Sequence, residues 1–160
     1  MARRLLRRRF RVLAYHGVDA THDPIVNFDG FQVSPSVFRE QLDVLAKHYK
    51  VWSLAWIARS ILDGSDLPDN LVALTFDDGY RNNWQVATPI LKEYGFPATF
   101  FVTTGFIDGT HQPWWYQLRG AIAASCRASV TGPGGVPVSL GSCVDRIHAI
   151  LHLEGTLKNL

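Results

Sequence analysis

Two adjacent carboxylates, Asp77 and Asp78, stand directly after the apolar run Leu71-Val72-Ala73-Leu74 and its continuation Thr75-Phe76, and are followed by Gly79 and Tyr80. The run reads as a buried strand over residues 71 to 76. Like charges this close resist joint ionisation, and a bound cation relieves the conflict. Successive strand residues point to opposite faces. Both acids can therefore serve one site only where the strand ends and the backbone turns, and Gly79 permits such a turn. One carboxylate can then hold a metal while the other takes a proton from metal-bound water. A bare Asp-Asp-Gly is a weak signal on its own, because carboxylates are common in turns.

The elements that must position this pair alternate between strand and helix. Residues 11 to 15 and 98 to 102 read as two further strands, and residues 19 to 33 as loop. Ser34 can cap a helix with Pro35 at its first position, and Phe38, Leu42, Leu45 and Tyr49 recur at helical spacing. Ser53 can cap a second helix with Leu54, Ile57, Ala58 and Ile61 inward and Gly64 at its end. Asn82 to Tyr94 is helical in pattern, and Pro89 must either kink it or mark its true start. Pro113 opens a helix with Trp114, Leu118 and Ile122 on one face. Residues 129 to 142, with Gly-Pro-Gly-Gly, read as loop. Val144 to Leu157 reads as helix, with Val144, Ile147 and Leu151 as its apolar face. Alternation of this kind implies an α/β fold with a parallel sheet.

The 160 residues are 47% hydrophobic and 19% charged, a balance that suits a soluble globular domain with a real core. The net charge of +2 is carried by Arg3, Arg4, Arg7, Arg8, Arg9 and Arg11; without these six of the sixteen basic residues, ten face fourteen acids and the balance is −4. The basic tail, residues 1–10, reads as a solvated start or as a segment attracted to anionic surfaces. No nucleic-acid module follows it. Leu5-Leu6 is too short for a signal sequence and no run reaches the length of a transmembrane helix, so the location stays open between a cytoplasmic default and the cell envelope. Cys126 and Cys143 form neither a zinc framework nor a disulfide scaffold; they are free thiols or a bridge clipping the loop between them.

Thr75-Phe76-Asp77-Asp78-Gly79-Tyr80 resembles the first signature of the polysaccharide deacetylases, the NodB-homology or carbohydrate esterase family 4 enzymes. Three further stretches resemble the same family in the same order: Arg11 to Val18, Ala87 to Gly95 and Phe96 to Val102. The resemblance implies a distorted (β/α) barrel, which needs on the order of 200 residues or more. Residues 11–160 are accordingly read as the N-terminal portion of that domain and the barrel as incomplete. By the same resemblance Asp77 is the catalytic base, Asp78 a ligand of a divalent metal, zinc before others, and the substrate an N-acetylated polysaccharide that loses acetyl groups. The family completes its metal site with two histidines four apart. His148 and His152 are the only pair so spaced; they are those ligands or two histidines on a surface helix. His16, Tyr80 and Arg81 are candidates for substrate contact, His16 alternatively for packing and Arg81 for solvation. Trp114, Trp115 and Tyr116 either stack on sugar or pack. No general acid is identifiable.

Two other readings compete. The partial barrel could be a non-catalytic module that binds glycan or pairs its open edge with another chain. Asp77 could also be a phosphoryl-accepting nucleophile, but such sites want a second Asp two positions on, where Gly79 stands.

Overall fold

The computed structural model describes residues 10–20 and 23–158. The arginines up to Arg9, and with them most of the basic tail, lie outside the described residues. Arg11, counted with that tail for its charge, lies in the first strand as expected, and its guanidinium sits 5.6 Å from the centre of the Tyr49 ring. The described residues fall into two compact units. One takes those of Met1–His22 with Phe31–Ile107, the other Asp23–Gly30 with those of Asp108–Leu160.

The first unit is organised by β5, Leu71–Phe76, all six of whose residues are buried. A strand covered on both faces shows a continuous apolar run in place of alternation. β1, Phe10–Tyr15, pairs in parallel along its whole length, from Phe10 opposite Leu71 to Tyr15 opposite Phe76. The other edge is shared. β4, Lys50–Val51, pairs with Leu71 and Val72, and β6, Ala98–Phe100, pairs with Leu74 to Phe76. Both are parallel to β5, so the expected parallel sheet is present. The two-residue β4 had no sequence signal of its own.

Alternation along β5 divides the core. Val72, Leu74 and Phe76 pack with Phe38, Leu42 and Leu45 of α1, Pro35–His48. Leu71 and Ala73 pack with Ile57 of α2, Leu54–Leu62. Ser34 and Ser53 cap these helices as expected: their hydroxyls accept the backbone N–H groups of Val37 at 3.3 Å and Trp56 at 3.2 Å. Phe76 lies between the rings of Tyr15 and Phe100, stacked at 5.2 and 5.0 Å.

The helix expected over 82–94 is two pieces. A π turn, Asn83–Ala87, runs into α3, Thr88–Tyr94. Proline supplies no N–H and crowds the preceding turn, so Pro89 fits the first turn of a helix and not its interior. The wider turn before it satisfies the carbonyl of Asn83, which accepts both the backbone N–H of Thr88 and its hydroxyl, the latter at 2.8 Å. Gly95, at φ 66°, ends α3 in the left-handed conformation that glycine tolerates. A single turn, α4, Thr104–Ile107, closes the unit.

The second unit holds α5, Trp114–Ala124, and α6, Cys143–Leu157. It corrects two expectations. Residues 129–142 are not structureless: β7, Ser129–Thr131, and β8, Pro137–Ser139, form an antiparallel hairpin, with Gly-Pro-Gly-Gly as its turn. Val130 and Val138 face each other and pack on the unit's core, too short an alternation to read from sequence. The buried face of α6 is Ala149, Ile150, Leu153 and Glu154, while Val144 and Leu151 are exposed.

A buried charge explains the rotation of α6. Arg119 of α5 is 8% exposed and Glu154 is 6% exposed. The guanidinium donates to both Glu154 oxygens, at 2.7 and 3.3 Å, to Asp29 at 2.7 Å and to the Val26 carbonyl at 3.2 Å. Burial alone would lower the Arg119 pKa, but the bonds to Glu154 and Asp29 carry it above its ordinary value. Removing one member of a buried pair leaves its partner uncompensated, at a cost of about 3–5 kcal/mol. Arg119→Ala is therefore expected to lose about that much in urea unfolding. The exposed Arg39–Glu93 pair should be nearly silent when Arg39 is replaced. Equal, small effects would contradict this assignment.

Candidate active site

The ladder between β1 and β5 extends one residue past both strands. The Asp77 N–H donates to the Tyr15 carbonyl at 2.8 Å. Carried on by one residue, the register that sets Tyr15 opposite Phe76 sets His16 beside Asp77. Asp77 continues the Leu71, Ala73, Thr75 face of β5. The chain then turns sharply. The Gly79 N–H returns to the Asp77 carbonyl at 2.9 Å, and both Asp78 and Gly79 are left-handed, at φ 67° and 70°. This reversal takes Asp78 out of strand alternation and leaves both half-buried carboxylates at the end of the strand.

Gly79 is required twice. Its φ is positive, and a Cβ there would lie 2.8 Å from Cγ1 of Val102. Asp78 holds a similar φ without glycine's freedom, a conformation that costs a residue with a Cβ roughly 1–2 kcal/mol. Strain of this kind gathers at functional sites.

Behind the turn lies a polar support that the motif reading missed. β2, Gly17–Val18, runs parallel to β3, Gln32–Val33. Asn83 is 3% exposed, and its amide donates to the His16 carbonyl at 3.1 Å. The Asn82 amide donates to Gln32 Oε1 at 2.8 Å. Gly17 makes room for that contact, since a Cβ there would sit 2.0 Å from Gln32 Oε1. The Oδ1 atoms of Asn82 and Asn83 are buried and accept no hydrogen bond from the described residues. A signal was present: Asn83 falls in helical step with Ala87, Ile90 and Leu91, all buried, and so is a polar residue on an apolar face.

The His16 ring stacks on Phe31, with centres 4.6 Å apart and planes 11° apart. Tyr80 is half-buried and its carbonyl accepts the Asn83 N–H at 3.0 Å, whereas Arg81 is exposed. His148 and His152 are both exposed on α6, in the second unit. Trp114 and Trp115 meet edge to face at 5.9 Å at the start of α5. Among the described residues no three His, Cys, Asp or Glu side chains group so as to hold a metal ion. These residues therefore do not fit a complete metal centre.

The backbone geometry yields a measurable order. Asp78→Ala should cost roughly 1 kcal/mol more stability than Asp78→Gly, because only glycine is free of the left-handed penalty. Gly79→Ala should cost about 1–3 kcal/mol through its overlap with Val102. Urea unfolding of the three variants checks the order; a reversed ranking at position 78 contradicts the turn described.

Comparison with known proteins places this geometry. The sequence profile of the polysaccharide deacetylase family matches residues 64–128. Over 100 residues the chain is 31% identical to the poly-β-1,6-N-acetyl-D-glucosamine N-deacetylase of Escherichia coli K12, covering 62% of this chain and 14% of that protein. The deacetylase PplD of Streptococcus pyogenes, solved with acetate, is 28% identical with a TM-score of 0.53, over 62% of this chain and 45% of that one. A de-N-acetylase from Aggregatibacter actinomycetemcomitans, 22% identical with a TM-score of 0.51, shares the fold over 89% of this chain and 50% of its own. The chain thus spans half or less of each of these relatives. The stretch that matches the polysaccharide deacetylase profile, residues 64–128, carries Asp77 and Asp78 at the end of its buried strand.

Proposed function

We propose that this chain carries the proton-accepting part of a site that removes acetyl groups from an N-acetylated polysaccharide. The observation that carries the reading is the strand-end turn, which fixes Asp77 by its own backbone N–H and sets His16 beside it. The reaction converts an acetamide and water into acetate and an amine. Asp77, as general base, takes a proton from the attacking water and thereby raises its nucleophilicity at the amide carbonyl; collapse of the tetrahedral intermediate breaks the C–N bond, and the nitrogen leaves as the amine after taking up the proton that the water lost. A base does this best when held still within hydrogen-bond reach, and the ladder bond to Tyr15 holds the Asp77 backbone. His16, Tyr80 and Arg81 line the same strand end and are assigned to sugar contact. The names of the E. coli and S. pyogenes relatives, and the acetate in the latter's structure, support this chemistry.

A divalent ion, zinc, belongs to the same proposal. Asp78 is this chain's ligand, and no further donors group with it among the described residues. The parallel sheet of β1, β5, β4 and β6 is read on the family resemblance as an arc of a distorted (β/α) barrel.

Acetate release from β-1,6-linked N-acetylglucosamine oligomers, assayed with this chain in a protein that supplies the remaining metal donors, tests the reading. Loss of a general base typically costs roughly 10²–10⁴-fold in rate, and Asp77→Asn is expected to show a fall of that size. Chelation should abolish release and zinc restore it. An undiminished rate in Asp77→Asn would remove Asp77 from the chemistry.

A further inference from the structure

Cys126 and Cys143 are seventeen positions apart and both exposed as free thiols. Neither packs into the core of the second unit. Three features bring their backbones towards one another. The hairpin register sets Ser129 opposite Ser139, and the next ladder bond, from the Leu140 N–H to the Ala128 carbonyl, extends it by one residue at 2.7 Å. Cys126 lies two positions before Ala128 and Cys143 three after Leu140, so that bond anchors the two flanks that carry them. From the other side, the Arg146 guanidinium donates to the carbonyls of Ile122, Ala123 and Ser125, the last at 2.8 Å, and so ties the first turn of α6 to the end of α5. Cys126 directly follows Ser125, and Cys143 lies one turn before Arg146.

We propose that Cys126 and Cys143 are a redox modification site, a dithiol that closes to a disulfide across the open end of the hairpin. The oxidant is a small-molecule disulfide such as oxidised glutathione. One cysteine thiolate attacks a glutathione sulfur, the S–S bond breaks, and one glutathione leaves as thiol after taking up a proton. The second cysteine thiolate attacks the mixed disulfide, forms the intramolecular S–S bond and releases the second glutathione. The protein loses two electrons and two protons, and one glutathione disulfide becomes two thiols. Closure needs the two Cα atoms about 4.4–6.8 Å apart; Cys143 opens α6 and so is outside the strand alternation that would aim it away from Cys126. The bond encloses the hairpin in one covalent ring and restrains its unfolded chain. Exposure on both sides keeps it open to reduction.

The test is peptide mapping of the full chain after equilibration with oxidised glutathione, without reductant. The expected result is one peptide pair joined through Cys126 and Cys143, a mass lower by two hydrogens, loss of both free thiols and recovery of both on reduction. Cys126→Ser and Cys143→Ser should each instead hold one glutathione on the remaining thiol, which shows that both sites are reachable. Slower amide exchange across Ser129–Ser139 after oxidation would tie the bond to the hairpin. Glutathione on both cysteines of the parent chain, bonds between two chains, or two thiols unchanged would each overturn the proposal.

Discussion

The hydrogen bond from the Asp77 N–H to the Tyr15 carbonyl is the constraint on which the rest of the candidate site depends. It is the last rung between β1 and β5, formed one residue after the apolar run stops. Below it β5 is buried along its whole length and covered on both faces. Above it the chain turns through Asp77, Asp78 and Gly79, with Val102 against the turn. The rung therefore transmits the rigidity of the core to the first residue that can do chemistry, and it sets the backbone of His16, the residue after β1, beside that of Asp77. The Asn83 bond to the His16 carbonyl anchors the other side of the same strand end.

Local departures from ordinary folding rules gather around this rung. Asp78 is left-handed without being glycine, two asparagine oxygens are buried and accept no bond from the described residues, and a π turn replaces an α turn. All lie between Asp77 and Thr88. A buried acceptor without a partner costs about 1–3 kcal/mol, and π turns are themselves frequent at functional sites. Elsewhere in the first unit, caps, apolar spacing and strand pairing agree with one another. Asn70, at φ 59°, is the other left-handed residue of this unit that is not glycine, but a concentration of conflicts in one short segment marks a place shaped by something other than stability.

Much of the first unit was legible because its signals are local. Ser34, Ser53 and Gly95 mark helix ends by their own hydrogen-bonding and φ preferences, and the run Leu71–Phe76 declares a strand covered on both faces. The Asp77-Asp78-Gly79 turn was legible as a turn, though not that Asp78 itself would take the left-handed conformation. What stayed hidden depends on partners distant in sequence. β4 exists only because Lys50 and Val51 meet Leu71 and Val72. The face of α6 was misjudged because a charged pair, Arg119 with Glu154, is buried where apolar residues would be expected. The Asn82–Gln32 contact across Gly17 needs three segments at once. Motif resemblance found the carboxylates, but it could not reveal what holds them.

Amide hydrogen exchange at Asp77, in the parent chain and in Asn83→Ala, tests this account most directly. The account predicts that the Asp77 amide is protected in the parent, and that loss of the Asn83 side chain speeds exchange at Asp77 and Gly79 while Ala73 in the middle of β5 is unaffected. An Asp77 amide that exchanges freely in the parent, or one indifferent to Asn83, would contradict it, because the carboxylate would then have no fixed place from which to act as a base.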